Sequence, residues 1–181
     1  MRKWLIASDL HGSAFYCRAL LDAYAREGAE RLILLGDILY HGPRNDLPKE
    51  YAPKDVIALL SAHKNEIFAV RGNCDTEVDQ MVLPFPILAD YAVLTAGERA
   101  VYLTHGHKFG KENPPPLRAG DILLCGHTHV VANEACQGFI YLNPGSLSIP
   151  KENTQRGYIL LEGDTFRFKT LDGEEYDTFE A

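Results

Sequence analysis

Closely spaced cysteine pairs are missing from this chain. Cys17, Cys74, Cys125 and Cys136 stand far apart, so neither a thiolate zinc knot nor a redox pair organises it, and the four read as reduced, mostly buried thiols. Long apolar runs are missing too. None approaches the roughly 20 residues that span a bilayer, and Met1-Arg2-Lys3 leads straight into a strand rather than a signal-peptide core. The expected location is therefore the cytoplasm, without membrane contact. Basic charge is scarce: 18 Lys and Arg against 25 Asp and Glu leave a net −7. That argues against a long nucleic-acid track, which needs basic side chains to displace counterions, but leaves room for a short or isolated phosphate ester. No internal repeat, low-complexity tract or linker interrupts the 181 residues. The length suits one domain, 1–181, with enough interior for a large core. A homodimer or homotetramer is compatible with the sequence, which does not choose between them.

What is present is one device used five times. Leu32-Ile33-Leu34-Leu35 is too short for a helix face and apolar enough for a strand buried on both sides, and it runs into Gly36 and the lone carboxylate of Asp37. Such a strand spends its side chains on packing, so the first polar group past its end sits on a rigid base at the open edge of the sheet. Leu5 to Ser8 runs likewise into Asp9-Leu10-His11, and Ile67 to Val70 into Arg71-Gly72-Asn73-Cys74-Asp75. Val101 to Thr104 runs into His105-Gly106-His107, and Ile122 to Cys125 into Gly126-His127-Thr128-His129. Every run ends in Asp, Asn or His, whose oxygen and nitrogen atoms ligate metals.

The segments between fit an α/β fold. Gly12 to Gly28 reads as a helix with Ser13 as its cap, giving a β-α-β unit and a parallel strand pair. Residues 40–54, with prolines at 43, 48 and 53, read as a loop at the ligand end of the sheet, and Asp55 to His63 as a second helix. Asp75 to Pro86 reads as irregular. From Tyr91 a hairpin, 91–95 with 100–104, precedes strands at 130–135, 139–142, 158–161 and 165–171. Pro114-Pro115-Pro116 marks an exposed loop. The pattern predicts two stacked mixed sheets with helices on the outer faces.

Seven donors in this order make sense as a two-metal site: Asp9, His11, Asp37, Asn73, His105, His127 and His129. Two divalent ions about 4 Å apart are bridged by one carboxylate and one water, whose deprotonation near neutral pH supplies the nucleophile. Asp37 is the natural bridge. Two carboxylates against four positive charges leave a positive well for a phosphate oxygen. Imidazole and carboxylate without thiolate admit manganese, iron or zinc.

The five blocks resemble the calcineurin-like metallophosphoesterase superfamily. Gly36-Asp37-x-x-x-His41-Gly42-Pro43-Arg44-Asn45, Arg71-Gly72-Asn73-Cys74-Asp75 and Asn143-Pro144-Gly145-Ser146 make the chain similar to its bacterial YfcE-type phosphodiesterases. The resemblance runs from Met1 to about Pro150. It implies a four-layer αββα sandwich of two mixed sheets between helices, and two divalent ions, manganese first, with zinc, nickel or iron(II) as alternatives. It also implies that Asp9, His11, Asp37 and His129 hold one ion, and Asp37, Asn73, His105 and His127 the other. The implied activity is hydrolysis of a small phosphodiester by in-line attack of a metal-bridging hydroxide, with Asp37 and Asn73 in the machinery. Many superfamily members carry His directly after the Gly-Asn pair to assist the leaving group. Cys74 stands there in this chain, and a neutral thiol is a poor donor. His41 and Arg44 lie where substrate phosphate is within reach. The alternatives are a phosphomonoesterase, which wants more basic contacts, and a metal-stabilised interaction module like the retromer subunit of the same fold. Arg71 reads as pairing with a carboxylate, His107 as an accessory or plain loop residue, and 143–146 as a turn supporting the site.

Overall fold

The computed structural model describes residues 2–181, so Met1 of the charged lead-in lies outside the described residues. Strand β1 (Lys3–Ala7) is followed by helix α1 (Ala14–Glu27). The Ser13 hydroxyl accepts the Tyr16 N–H at the start of α1, and Gly28 in the left-handed conformation closes it, the two ends that Ser and Gly favour. Strand β2 (Arg31–Leu34) pairs with β1 in parallel, Ile6 opposite Ile33. Helix α2 runs Pro53–Ser61. It begins two residues before the expected Asp55 because proline's fixed φ and missing N–H suit the first helical position.

Strand β3 (Ile67–Ala69) then leads to a short helix α3 (Glu77–Val82) inside the stretch expected to be irregular. A capping box starts it: the Thr76 hydroxyl accepts the Asp79 N–H while the Asp79 carboxylate accepts the Thr76 N–H. No residue of α3 is buried, so no apolar stripe announced it, and Pro84 arrives only after it has ended. Strands β4 (Ala92–Ala96) and β5 (Arg99–Leu103) form the expected hairpin. They are followed by β6 (Asp121–Leu124), β7 (Val131–Ala135), β8 (Phe139–Pro144), β9 (Gly157–Glu162) and β10 (Thr165–Thr170). The last strand, β11 (Glu175–Glu180), was not read from the sequence. Its charged Glu-Tyr-Asp-Thr-Phe-Glu pattern is that of an exposed edge, and it pairs only with β10.

Two mixed sheets result, ordered β11-β10-β9-β1-β2-β3 and β4-β5-β6-β8-β7. Alternation along the strands divides the core. Leu5, Ala7, Leu32, Leu34, Tyr158 and Leu160 pack against α1 and α2. Ile6, Ile33, Leu35, Ile159, Phe166 and Phe168 meet Val101, Leu103, Ile122, Leu124 and Leu142 between the sheets. The outer face of the second sheet carries a smaller cluster around Leu123, Cys125, Phe139 and Tyr141, against which Leu117 packs. In that loop Pro114 and Pro116 are exposed as expected, but Pro115 is buried.

Strands β1, β2 and β3 are parallel, as are β5, β6 and β8. The carboxyl ends of both sets come together: the His105 ring after β5 reaches the Leu35 carbonyl after β2, and the Leu147 N–H after β8 reaches the Ser8 carbonyl after β1. All five motif loops therefore open on one edge of the sandwich.

Candidate metal centre

The loops that carry the donors are bent sharply. Asp9, His11, Asp37, His127 and His129, five of the seven, have φ between 49° and 66°, the left-handed region that non-glycine residues seldom adopt. Each such residue costs on the order of 1 kcal/mol or more, and neighbouring backbone holds them there: the N–H groups of Asp9 and His11 donate to the carbonyls of Gly36 and Asp37 at 3.2 and 2.9 Å. Close approach also explains two glycines. A Cβ at Gly72 would lie 2.1 Å from the Asp37 Oδ1, and one at Gly126 would lie 1.8 Å from the Ser8 Oγ.

The imidazoles are oriented from behind. Nδ1 of His11, His105 and His129 lies on the carbonyls of Tyr40, Leu35 and Ile149 at 2.8, 2.6 and 2.9 Å. A carbonyl only accepts, so each Nδ1 carries a hydrogen, and each ring, when neutral, turns the Nε2 lone pair toward the site. There the atoms crowd. Nε2 of His129 is 3.1 Å from Nε2 of His11 and 3.1 Å from Asp9 Oδ1. Nε2 of His105 is 3.4 Å from Asp37 Oδ2 and 3.1 Å from Asn73 Oδ1. Nε2 of His11 is 3.7 Å from the same Asp37 oxygen. Asp9 Oδ1 is buried without a hydrogen-bond partner, whereas its Oδ2 accepts the Ser8 hydroxyl and the His127 N–H. Lone pairs pointed at one another with an orphaned carboxylate oxygen among them describe a place for a cation, and the imidazole, carboxylate and amide donors fit a divalent metal.

Three groups of donors fall within ligating reach: Asp9 with His11 and His129, Asp9 with Asp37 and His105, and His11 with Asp37 and Cys74. Asp9, His11 and Asp37 each occur in two of the three. His127 enters none of these groups. Its ring stands 5.0 Å from that of His105 and lines the same cavity as Asp37 and Asn73.

The charges agree. Burial opposes ionisation of Asp9, yet the positive charge on His105 and the close approach of His11 and His129 hold its carboxyl well below the usual range. Asp37 is lowered too, against its own burial, chiefly by His105. His105 itself, though buried, is pushed up to about 9 by Asp9 and Asp37. The carboxylates thus recruit a proton onto His105 when nothing else brings positive charge. Burial and the charge of His105 lower His127 and His107.

Other residues hold the donor loops from behind. Asp75 is buried and its carboxylate accepts three backbone N–H groups, from Asp37, Ile38 and Gly72, at 2.9, 2.9 and 2.7 Å. The hydroxyls of Ser146 and Ser148 both donate to the Asp9 carbonyl, and Asn143 donates to the Gly126 carbonyl, so 143–146 is a structural support, as its turn chemistry suggests. Apart from the Asp75–Gly72 bond these contacts span 17 or more positions in sequence, so no local pattern marks them.

Around the donors is a cavity of about 300 Å³, walled by Gly42, Pro43, Arg44, Asn45 and Cys74, with Lys151, another residue the sequence did not mark, on its rim. The Cys74 Sγ accepts from the Asn73 amide at 3.3 Å, and burial together with the charge of Asp37 pushes its pKa up to about 12. His41 is placed differently: its ring packs edge-on between Tyr40 and Tyr51 and is not part of this cavity wall. Arg71 pairs with Glu77 at 3.5 Å rather than entering the site. His107 is exposed, its ring 5.4 Å from that of His105.

Residues 2–165 match the model of the calcineurin-like phosphoesterase superfamily domain. The chain is 44% identical over 174 residues to Phosphodiesterase YfcE of Escherichia coli (strain K12), covering 96% of this chain and 95% of that protein. The solved structure of Yfce, a phosphoesterase from E. coli, superposes with a TM-score of 0.94 at 42% identity, covering 98% of each chain. Vacuolar Protein Sorting 29 from Cryptosporidium parvum, at 18% identity with a TM-score of 0.61 over 99% of this chain and 98% of that one, shares the fold alone.

Proposed function

Because the chain belongs to the calcineurin-like phosphoesterase superfamily, we propose that it is a phosphodiesterase: a metal-dependent phosphoric ester hydrolase acting on small diesters across two divalent ions. One observation carries this reading. Asp9 Oδ1 and Asp37 Oδ2 meet the Nε2 atoms of His11, His105 and His129 at 3.1 to 3.7 Å, and Asp9 Oδ1 is buried without a hydrogen-bond partner. Asp9, His11, Asp37 and His129 would hold one ion, and Asp37, Asn73, His105 and His127 the other, with manganese first and zinc, nickel or iron(II) as alternatives. When bound, such a pair supplies a water acidic enough to attack at neutral pH and positive charge for the phosphoryl oxygens.

The chain's own groups do the rest. Asp75 and the Ser146–Ser148 pair fix the loops of Asp37 and Asp9, so the donors are preorganised. Arg44 and Lys151 on the cavity rim draw in the anionic ester. Cys74 lines the side from which the leaving oxygen departs. With its thiol held neutral it offers only a weak hydrogen bond, so aryl esters, whose leaving groups need little help, are the preferred substrates. We take residues 1–181 as one domain, since β9, β10 and β11 complete the sheet that β1 begins. The free thiols support a reducing, cytoplasmic setting.

Metal-dependent turnover of an aryl phosphodiester by the purified protein, abolished in Asp37→Ala and Asn73→Ala, is the expected result. Metal binding without turnover of any phosphate ester would favour the interaction module instead. Arg44 and Lys151 together also give a phosphomonoester's second charge a counterpart, so the rates on matched mono- and diesters decide between those two activities.

A further inference from the structure

A larger cavity of about 540 Å³ lies between segment 106–113 and β7. Gly126 and Thr128, the chain neighbours of His127, form part of its wall, so it adjoins the metal centre. The exposed ring of His107 marks the boundary, 6.2 Å from that of His127. Its floor is the outer face of the second sheet, where Tyr141 and Ala132 are almost fully buried. This is the size and mixed character of a small-molecule pocket.

The two cavities differ in charge. Arg44 and Lys151 give the metal-centre cavity a positive rim. In the larger one both lysines are already spent on carboxylates: Lys108 pairs with Asp90 at 2.7 Å and Lys111 with Glu134 at 2.5 Å. Glu112 and Glu152 line the same space and have no ion-pair partner among the described residues. Lys108 and Lys111 stand against Glu112, Glu134 and Glu152 in the lining, with Asp90 neutralising Lys108 from outside it, so the wall is left negative, and an anion entering it would meet repulsion without a free counter-charge.

Resting on the phosphodiesterase reading, we propose that this second cavity holds the ester arm that stays on phosphorus, and that it selects arms that are uncharged or cationic. The leaving arm departs past Cys74 into the smaller cavity, so the retained arm is the one turned toward Tyr141 and Ala132. The substrate class is then a diester of an aryl alcohol, an uncharged polyol or an amino alcohol. Diesters whose retained arm bears a further phosphate, sulfonate or carboxylate are excluded.

The test uses three p-nitrophenyl diesters with one leaving group and different second arms: phenyl, 2-(trimethylammonio)ethyl and 2-sulfoethyl. With the full-length, manganese-loaded protein, kcat/KM for the sulfoethyl ester should fall about tenfold below that for the trimethylammonioethyl ester, mostly through KM, and the gap should narrow with added salt. In Glu112→Lys/Glu134→Lys, two exposed positions away from the ligands, the ratio of kcat/KM for the trimethylammonioethyl ester to that for the sulfoethyl ester should fall to one or below. Equal rates on all three esters, or a preference that the double substitution does not move, would overturn the assignment of this cavity and leave the phosphodiesterase reading standing. Failure to cleave any of the three with metal bound would bring down both.

Discussion

The carboxylate of Asp75 accepts the backbone N–H of Asp37 at 2.9 Å and that of Gly72 at 2.7 Å, tying the loop after β2 to the loop after β3. One side chain that is not itself a proposed ligand therefore sets the distance between two that are, Asp37 and Asn73.

Removing that carboxylate leaves three buried N–H groups without an acceptor, so Asp75→Ala should lower stability by about 3 kcal/mol. It should also weaken manganese binding by roughly ten- to a hundredfold, the usual cost of losing an orienting partner. Denaturant midpoints and calorimetric metal titration measure the two effects. Metal affinity equal to that of the unsubstituted protein would show that Asp37 is positioned by other contacts.

Bound ions should also report on the fold itself. A divalent ion that binds only the folded chain raises stability by about 2.7 kcal/mol at a hundred times its Kd, so chelation should lower the melting temperature and manganese should restore it. Asp9→Asn keeps the shape of the buried side chain but removes its charge, and the manganese-induced rise should shrink with it. A melting temperature indifferent to every divalent ion tried would contradict a metal centre here.

Cys74 should behave as a neutral group. With its pKa pushed up to about 12 by burial and by Asp37, alkylation by iodoacetamide should stay slow through pH 8, and the rate profile should show no thiol ionisation there. Cys74→His restores a good donor at that position, and the expected result is a rise in the rate on alkyl esters relative to aryl esters. An unchanged ratio would count against a role for this position at the leaving group.

Far from the site, Glu27 accepts from Lys169 and from the Tyr158 hydroxyl, both at 2.6 Å, with little exposure. Burial raises its pKa, but Lys169 and Tyr158 outweigh that and leave it below the ordinary value. A carboxyl lowered on folding adds stability at neutral pH that disappears as the pH falls through its folded value. Glu27→Gln should therefore cost about 1 kcal/mol at pH 7 and almost nothing near pH 3. Urea midpoints across that range give the comparison, and a cost that stays constant with pH would show that packing, not charge, is what the substitution removes.

How much of this was legible beforehand differs by element. Strands buried on both faces announce themselves because packing forbids polar residues within them, and so Leu32 to Leu35 and Ile122 to Cys125 were read within a residue or two. Helix α1 was legible from its cap and its closing glycine. Helix α3 and strand β11 were not, since a short helix with no buried face and a charged edge strand leave no apolar period. His41, next to the motifs in sequence, turns its ring between two tyrosines, whereas Lys151, remote from them, reaches the cavity rim.

By itself the chain determined which residue types stand at the carboxyl ends of its apolar runs, and hence the kind of ion and reaction they suit. That much is written locally, in the order of side chains along each strand and the polar residue that follows. Only the tertiary structure decided which backbone carbonyl turns each imidazole, that Asp9 keeps one oxygen unpaired, and that a second, negatively walled cavity adjoins the first. Those facts arise from contacts between segments up to more than a hundred positions apart, and such contacts exist only once two sheets have closed on one another.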